Sequence, residues 1–411
     1  KKVWKIVTVA AAFVVIVGFL VAGMSGSFNE RVEYMGNSPS NLKNGGICVQ
    51  DVENEKYYVV DENGCFHCTN IEEKADGTYF IDFKEKEKID ENVYCLNLTE
   101  SGNVYYRSYN ADEEKYEICI YYAKRKYADV IYSSDSVIGN IFYVRTNRNK
   151  EYLYVFMEND NNKGEDEPVL SLYRYDINKE KFKVISESTS IDFLYIIDDK
   201  LYISELVTDK ECLSYSTTLN GSGKKLLSEN KNSLIFGMAS DKLLLAKIEG
   251  GSRLFLADLN GKEIENTVFS KKLGISSDKN SSLTELSFKD DFRYANDDRY
   301  FYFFDDGSIK QASFDGNEEK ILFNNVKSVE FINVVNDVLY MQIETLDGNY
   351  SSFIIPIYSR YKNEVYDVSE IVALDEEGTA YYVIFEEELE YELIEDSYIR
   401  ITGYNPDEER I

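Results

Sequence analysis

One histidine, one tryptophan and four prolines serve 411 residues, and basic side chains are far fewer than acidic ones. With His67 alone, a Ser-His-Asp or Cys-His mechanism would have to run through a residue in the middle of an extended stretch. No Gly-x-Ser-x-Gly elbow and no Gly-rich phosphate loop occurs. The 45 Lys and Arg against 74 Asp and Glu leave a formal charge of −29. A nucleic-acid binder needs basic groups against phosphates, so nucleic acid is excluded as a partner. The acid excess reads first as a solvated outer surface, and functionally as attraction for cations or a basic partner. Helical spacing is missing too: no stretch after the N-terminal run sustains it.

Aromatic and apolar residues are plentiful. The chain has 34 Tyr and 23 Phe, and 44% of its residues are hydrophobic, enough for a large core. Tyr and Phe favour strands, so the expected class is all-β. Most of these tyrosines read as core or inter-sheet residues, and the rest as amphipathic contacts on the rims.

One long apolar run stands apart. Lys1, Lys2 and Lys5 precede an uncharged stretch from Ile6 to Met24. Its length approaches the roughly 20 residues that cross a bilayer as a helix. The expected organisation is a cytoplasmic stub over residues 1–5, a transmembrane anchor over 6–24, a polar linker over 25–44 and a β-propeller over 45–411. The lysines keep the N-terminus in the cytoplasm and send the remainder outward. A cleaved signal peptide is the competing reading, with Gly23, Ser25, Gly26 and Ser27 as the small residues near the cut.

Repetition supplies the propeller. The clearest unit spans Ile191 to Ser228: an apolar run Phe193 to Ile197, an Asp198-Asp199 turn, then Leu201 to Val207. Leu213 to Thr218, Asn220-Gly221-Ser222-Gly223 and Leu226-Leu227 complete it. Short runs punctuated by Asp, Asn and Gly are the mark of antiparallel hairpins. The second strand aligns the copies through Tyr57-Tyr58, Val104-Tyr105, Tyr152-Leu153, Leu201-Tyr202, Leu243-Leu244, Tyr300-Phe301, Leu339-Tyr340 and Tyr381-Tyr382. These anchors recur every 39 to 57 residues, the length four short strands and their turns require. Eight four-stranded blades are expected. Seven is the alternative, with the linker strand Arg31-Val32-Glu33-Tyr34 merging into the terminal unit to close the ring. In that unit Tyr381 to Phe385, Leu389 to Leu393 and Tyr398 to Ile401 are the expected strands.

Certain stretches carry a family likeness: Gly36-Asn37-Ser38 through Asn44-Gly45-Gly46, the Tyr-Tyr second strands, and Leu219-Asn220-Gly221-Ser222-Gly223-Lys224-Lys225-Leu226. In these the chain resembles the prolow-density-lipoprotein-receptor-related-protein-like β-propellers, a bacterial domain of unknown function. The resemblance covers nearly everything after the linker and implies a cell-surface propeller without assigned chemistry. Related receptor propellers carry a Tyr-Trp-Thr-Asp strand. Tyr57-Tyr58-Val59-Val60-Asp61 lacks that Trp, so no ligand contacts transfer.

Candidate chemistry is sparse. Cys65-Phe66-His67-Cys68 is the one compact group of soft ligands. In a strand Cys65 and His67 face one way and Cys68 the other, so the set does not converge on a tetrahedral metal. Asn159 to Glu167 resembles a calcium loop until Lys163 and Leu170 fall where oxygen ligands belong. The six cysteines, Cys48, Cys65, Cys68, Cys95, Cys119 and Cys212, are expected mostly as buried free thiols. Cys48 and Cys65, like Cys95 and Cys119, would sit on strands two apart, about 9.5 Å and beyond disulfide reach. No catalytic, cofactor-binding or metal-binding residue is nominated, and no cofactor is expected. The expected function is a monomeric, membrane-anchored, extracytoplasmic propeller that binds a protein or glycan ligand at the cell envelope. The alternative is an envelope carbohydrate-active enzyme using paired carboxylates in the funnel.

Overall fold

Adjacent apolar residues such as Tyr57-Tyr58 point to opposite sides of a strand, so both are buried only where both sheet faces are covered. The computed structural model of the chain shows that arrangement repeatedly. It describes residues 30–37, 42, 45–46, 48–51, 54–60, 64–70, 72–73, 78–81, 87–158, 170–189, 193–208, 211–227, 233–239, 242–247, 253–264, 294–296, 300–305, 307–313, 319–335, 338–348, 350–356, 366–368, 370–374, 380–386 and 398–404. Among these residues the strands form eight antiparallel sheets, numbered first to eighth in chain order.

The opening strands are Cys48–Asp51, Val93–Leu98, Ile138–Thr146, Tyr195–Ile197, Ser233–Ala239, Tyr294–Asn296, Val326–Val335 and Glu370–Leu374. Each pairs with a second strand that carries one of the eight anchor pairs. The opening strands of the first and second, second and third, fifth and sixth, sixth and seventh, and eighth and first sheets touch. They therefore surround a common axis while later strands lie outward, as in a propeller. The eight-unit division of the sequence coincides with these sheets.

The core lies between sheets. Val104 and Tyr106 turn toward the first sheet and pack with Tyr58, Phe66 and Cys68. Tyr105, between them in sequence, turns the other way and packs with Ile141, Tyr143 and Leu153 of the third sheet. Phe66 meets Tyr106 edge-on with ring centres 5.0 Å apart, and Tyr105 stacks on Tyr143 at 5.6 Å. Such ring pairs contribute about 0.5–1.5 kcal/mol each beyond burial.

Three sheets depart from the expected four strands: among the described residues the fifth has three, and the third and eighth have five each. The strand Val32–Met35 adds to the inner edge of the third sheet, beside Ile138–Thr146. It joins the third sheet, not the terminal one, so the seven-bladed closure is not the one formed. In the eighth sheet Ala380–Glu386 pairs directly with Tyr398–Tyr404. The next place outward goes to Thr78–Ile81, from the connection between the third and fourth strands of the first sheet, with Glu72–Glu73 beyond it. Tyr398–Tyr404 thus takes the third place in that sheet, and the expected strand Leu389 to Leu393 lies outside the described residues.

The expected membrane part of the fold class is corrected. Among the described residues no helix is long and apolar enough to cross a membrane. The anchor at residues 6–24 lies outside the described residues, as does the stub at 1–5. A hydropathy window reports only that a segment is long and apolar, and the named elements among the described residues are strands. The single-pass topology, the extracytoplasmic placement and the membrane as a partner are therefore withdrawn. With them go the envelope binding module and the envelope enzyme, both of which required that placement.

Candidate functional site

An opening strand in a ring turns one edge toward the axis, where its peptide groups need partners. Here the described residues between Glu30 and Gly46 cover part of that edge. Gly45 and Gly46 carbonyls accept from the Cys95 and Leu96 amides at 3.0 and 2.8 Å, and the Gly36 carbonyl accepts from Leu98 at 2.7 Å. The Gly36 amide donates to Tyr143 at 2.9 Å, and the Val32 amide to Asp198 at 2.8 Å. Gly36 has to be glycine: a Cβ there would lie 2.7 Å from the Leu98 carbonyl oxygen.

Two buried asparagines finish the seam. Asn37 Nδ2 donates to the Leu96 carbonyl at 2.8 Å and to the Cys48 carbonyl at 3.3 Å. Asn97 Nδ2 donates to the Cys95 and Ile141 carbonyls at 2.9 and 3.1 Å, while its Oδ1 accepts from the Tyr143 amide at 3.0 Å. The second sheet's opening strand bulges between Tyr94 and Asn97. A bulge leaves peptide groups outside the ladder, and an amide side chain can replace the missing neighbour.

At one end of the ring the turns after the opening strands gather. Glu100 pairs with Arg145, which also donates to Asn149 at 2.8 Å. Asp51 accepts from the Asn54 amide and side chain at 3.1 and 2.7 Å. Glu30 accepts from Thr146 Oγ1 and the Tyr152 hydroxyl at 3.1 Å each, and from Lys150 Nζ at 3.2 Å. Partial burial alone would raise the Glu30 carboxyl, but these hydrogen bonds and the Lys150 charge hold it below its ordinary value. Burial, then the Glu30 charge, push the Tyr152 phenol up to about 12, so it remains a donor. Arg174 lies 4.4 Å over the Tyr152 ring and donates to the Leu219 carbonyl at 3.1 Å.

Within this collar, between the added strand and the fourth sheet, lies a pocket of about 250 Å³ lined by Val32, Glu33, Tyr34, Met35, Ile196 and Asp198. Val32, Met35 and Ile196 also pack against the core shared by the third and fourth sheets. Asp198 has a φ of 50°, a left-handed value that Asp adopts more readily than branched residues. Among the described residues neither the Glu33 nor the Asp198 carboxylate makes an ion pair or a side-chain hydrogen bond. The arrangement offers an apolar wall, a phenol and two open carboxylates. It has no nucleophile paired with a base.

The residues weighed from sequence lie elsewhere. Phe66 and Cys68 face the second sheet, and His67, on the opposite face of its strand, is buried. None of the six cysteines is in a disulfide; Cys65 is half-buried and the other five are buried. Among the described residues no group of three or more His, Cys, Asp or Glu is placed to hold a metal ion. The stretch Asn159 to Glu167 lies outside the described residues. Sequence reasoning passed over Glu30, Glu33 and Asp198, reading the first two as linker and the third as a turn. The one signal available was the alternation in Val32–Met35.

No protein-family model matches the chain, and no curated protein matches it. Among solved structures it is similar to the β-propeller domain of the Trilobed protease from Pyrococcus furiosus, at 14% identity and a TM-score of 0.44, over 77% of this chain and 94% of that one. It is similar to Saccharomyces cerevisiae Sqt1 at 10% identity and a TM-score of 0.46, over 92% and 97%. Pyrococcus horikoshii acylaminoacyl peptidase is 13% identical with a TM-score of 0.42, over 84% of this chain but only 56% of the peptidase. The chain thus spans little more than half of that enzyme. The likeness is one of overall architecture: the chain has a distant, all-β, propeller-like fold, and the matches single out no family within it.

Proposed function

We propose that the chain is a β-propeller binding module that works by recognition and not by catalysis. It presents to a partner protein the end of the ring where the opening strands turn. The resemblance of Gly36-Asn37 and Gly45-Gly46 to the prolow-density-lipoprotein-receptor-related-protein-like propellers belongs to the same reading. The observation that carries it is the pocket between Val32–Met35 and the fourth sheet, with its two open carboxylates. Turns already tied by hydrogen bonds lose little freedom when a partner docks, which favours a binding surface.

A photo-crosslinking residue placed at Glu33, which is exposed, tests the reading against one placed at Val184, exposed on the outer strand Lys181–Thr189. Irradiated in an extract of the cells that make the protein, the Glu33 variant gives a discrete adduct that excess unlabelled protein suppresses, and the Val184 variant does not. Adducts from Val184 alone, or none from Glu33, would overturn it.

A further inference from the structure

The pocket is small, and its size limits what enters. Sites that enclose a drug-sized ligand run to roughly 300–1,000 Å³. A volume of about 250 Å³ suits one side chain better than a whole cofactor. Its lining limits the chemistry further. Val32, Met35 and Ile196 form an apolar wall, while Glu33 and Asp198 are exposed. That pairing complements a side chain with a methylene stem and a charged end, which buries the stem and keeps the head near water. Tyr34 adds an aromatic ring to the lining, and cations are drawn to ring faces.

Three cations of the same chain on the collar are engaged elsewhere. Lys150 bonds Glu30, Arg145 bonds Glu100 and Asn149, and Lys179 bonds Asp176. Glu33 and Asp198 have no such internal partner among the described residues. The net charge of −29 adds a field that gathers positive ligands.

We propose that this pocket receives a lysine or arginine side chain of the partner protein, held by Glu33 and Asp198 with its stem against Val32, Met35 and Ile196. The inference rests on the binding-module reading and adds to it the chemistry of the group recognised.

The test uses the full chain with labelled methyl groups, titrated with N-acetyl-arginine methylamide and N-acetyl-lysine methylamide. The uncharged mimics N-acetyl-citrulline methylamide and N-acetyl-norleucine methylamide are run beside them. The expected result is saturable movement of the Met35 and Ile196 methyl signals with the two cationic compounds, and affinity at least about tenfold weaker for the neutral ones. Glu33→Gln combined with Asp198→Asn removes the preference for charge; Asn tolerates the left-handed turn at 198. Signals of Ile309 and Ile343, buried in the core shared by the sixth and seventh sheets, stay in place and report that the variant is folded. Citrulline binding as tightly as arginine overturns the inference, and so do methyl signals that never move. Should that occur while the Glu33 crosslink still forms, only the cation assignment falls. Loss of the crosslink fells the binding reading itself.

Discussion

The strand Val32–Met35 and the hairpin that ends in Thr78–Ile81 both leave their own place in the chain to pair elsewhere, yet at opposite edges. The first lies on the inner edge of the third sheet, as a fifth member of a set that already has four. The second lies on the outer side of the eighth sheet, where the C-terminal strands provide only three. One is an addition and the other a completion. The addition has its own short ladder and is flanked by side-chain bonds from Glu30 and Asn37, while Asn97 ties the second sheet to the third beside it. The completion is recorded in a backbone ladder that joins Ile81 to Ile399 and Thr78 to Thr402. It links sequence from the first and last sheets, so it closes the ring, and closing so long a loop costs little more entropy than closing one half its length.

Breaking the completion should have the larger effect. Tyr79→Pro removes an amide from a strand paired on both sides, with Ile401 and with Glu73. Proline in such a position costs on the order of 3 kcal/mol. Hydrogen exchange should quicken in Ala380–Glu386 and Tyr398–Tyr404 while Val93–Leu98 keeps its protection. Unchanged exchange in the eighth sheet would show that the hairpin does not close the ring.

Breaking the seam beside the addition comes next. Asn97→Ala leaves the Cys95 and Ile141 carbonyls and the Tyr143 amide without their side-chain partner. Burying groups so deprived should cost about 2–3 kcal/mol in urea unfolding. Asn37→Ala should cost less, since it frees two carbonyls and one of its bonds is 3.3 Å long. If the two breaks are independent, the Tyr79→Pro and Asn97→Ala losses add. A shortfall would show that the inner and outer seams share one unfolding unit.

These differences explain what could be read before the fold was seen. Tyr57-Tyr58 and Leu243-Leu244 announce their strands because a strand between two cores must be apolar on both faces. The turn Asp198-Asp199 announces itself through residues that accept positive φ. Gly36, Asn37, Gly45 and Gly46 were legible as a motif but not as a seam, since a glycine that lets two backbones meet resembles one that loosens a linker. The hairpin was hidden for another reason. Thr78–Ile81 pairs with residues at the far end of the chain, and no local pattern reports a distant partner. The pocket was hidden likewise: Glu33 and Asp198 are ordinary surface acids until the topology sets them side by side.

The smallest effect separates the two regions by pH, because side chains can titrate and a backbone ladder does not. Glu30→Gln removes a carboxylate held below its ordinary value of 4.5 by Lys150, Thr146 and Tyr152 against the opposing effect of burial. A carboxyl lowered in the folded state stabilises the fold fully above its unfolded pKa, and that contribution fades as pH falls through the folded value. The partner Lys150 is 43% exposed, so solvent screening keeps the loss under about 1 kcal/mol at pH 7. The gap between wild type and Glu30→Gln should stay level above about pH 5 and shrink steadily below 4.5, as the protonated carboxyl comes to resemble the amide. Urea unfolding at a series of pH values measures it, with exchange at Val32–Met35 as the local report. A gap that persists in acid would assign Glu30 to packing, and the inner strand would then be held as independently of pH as the outer hairpin.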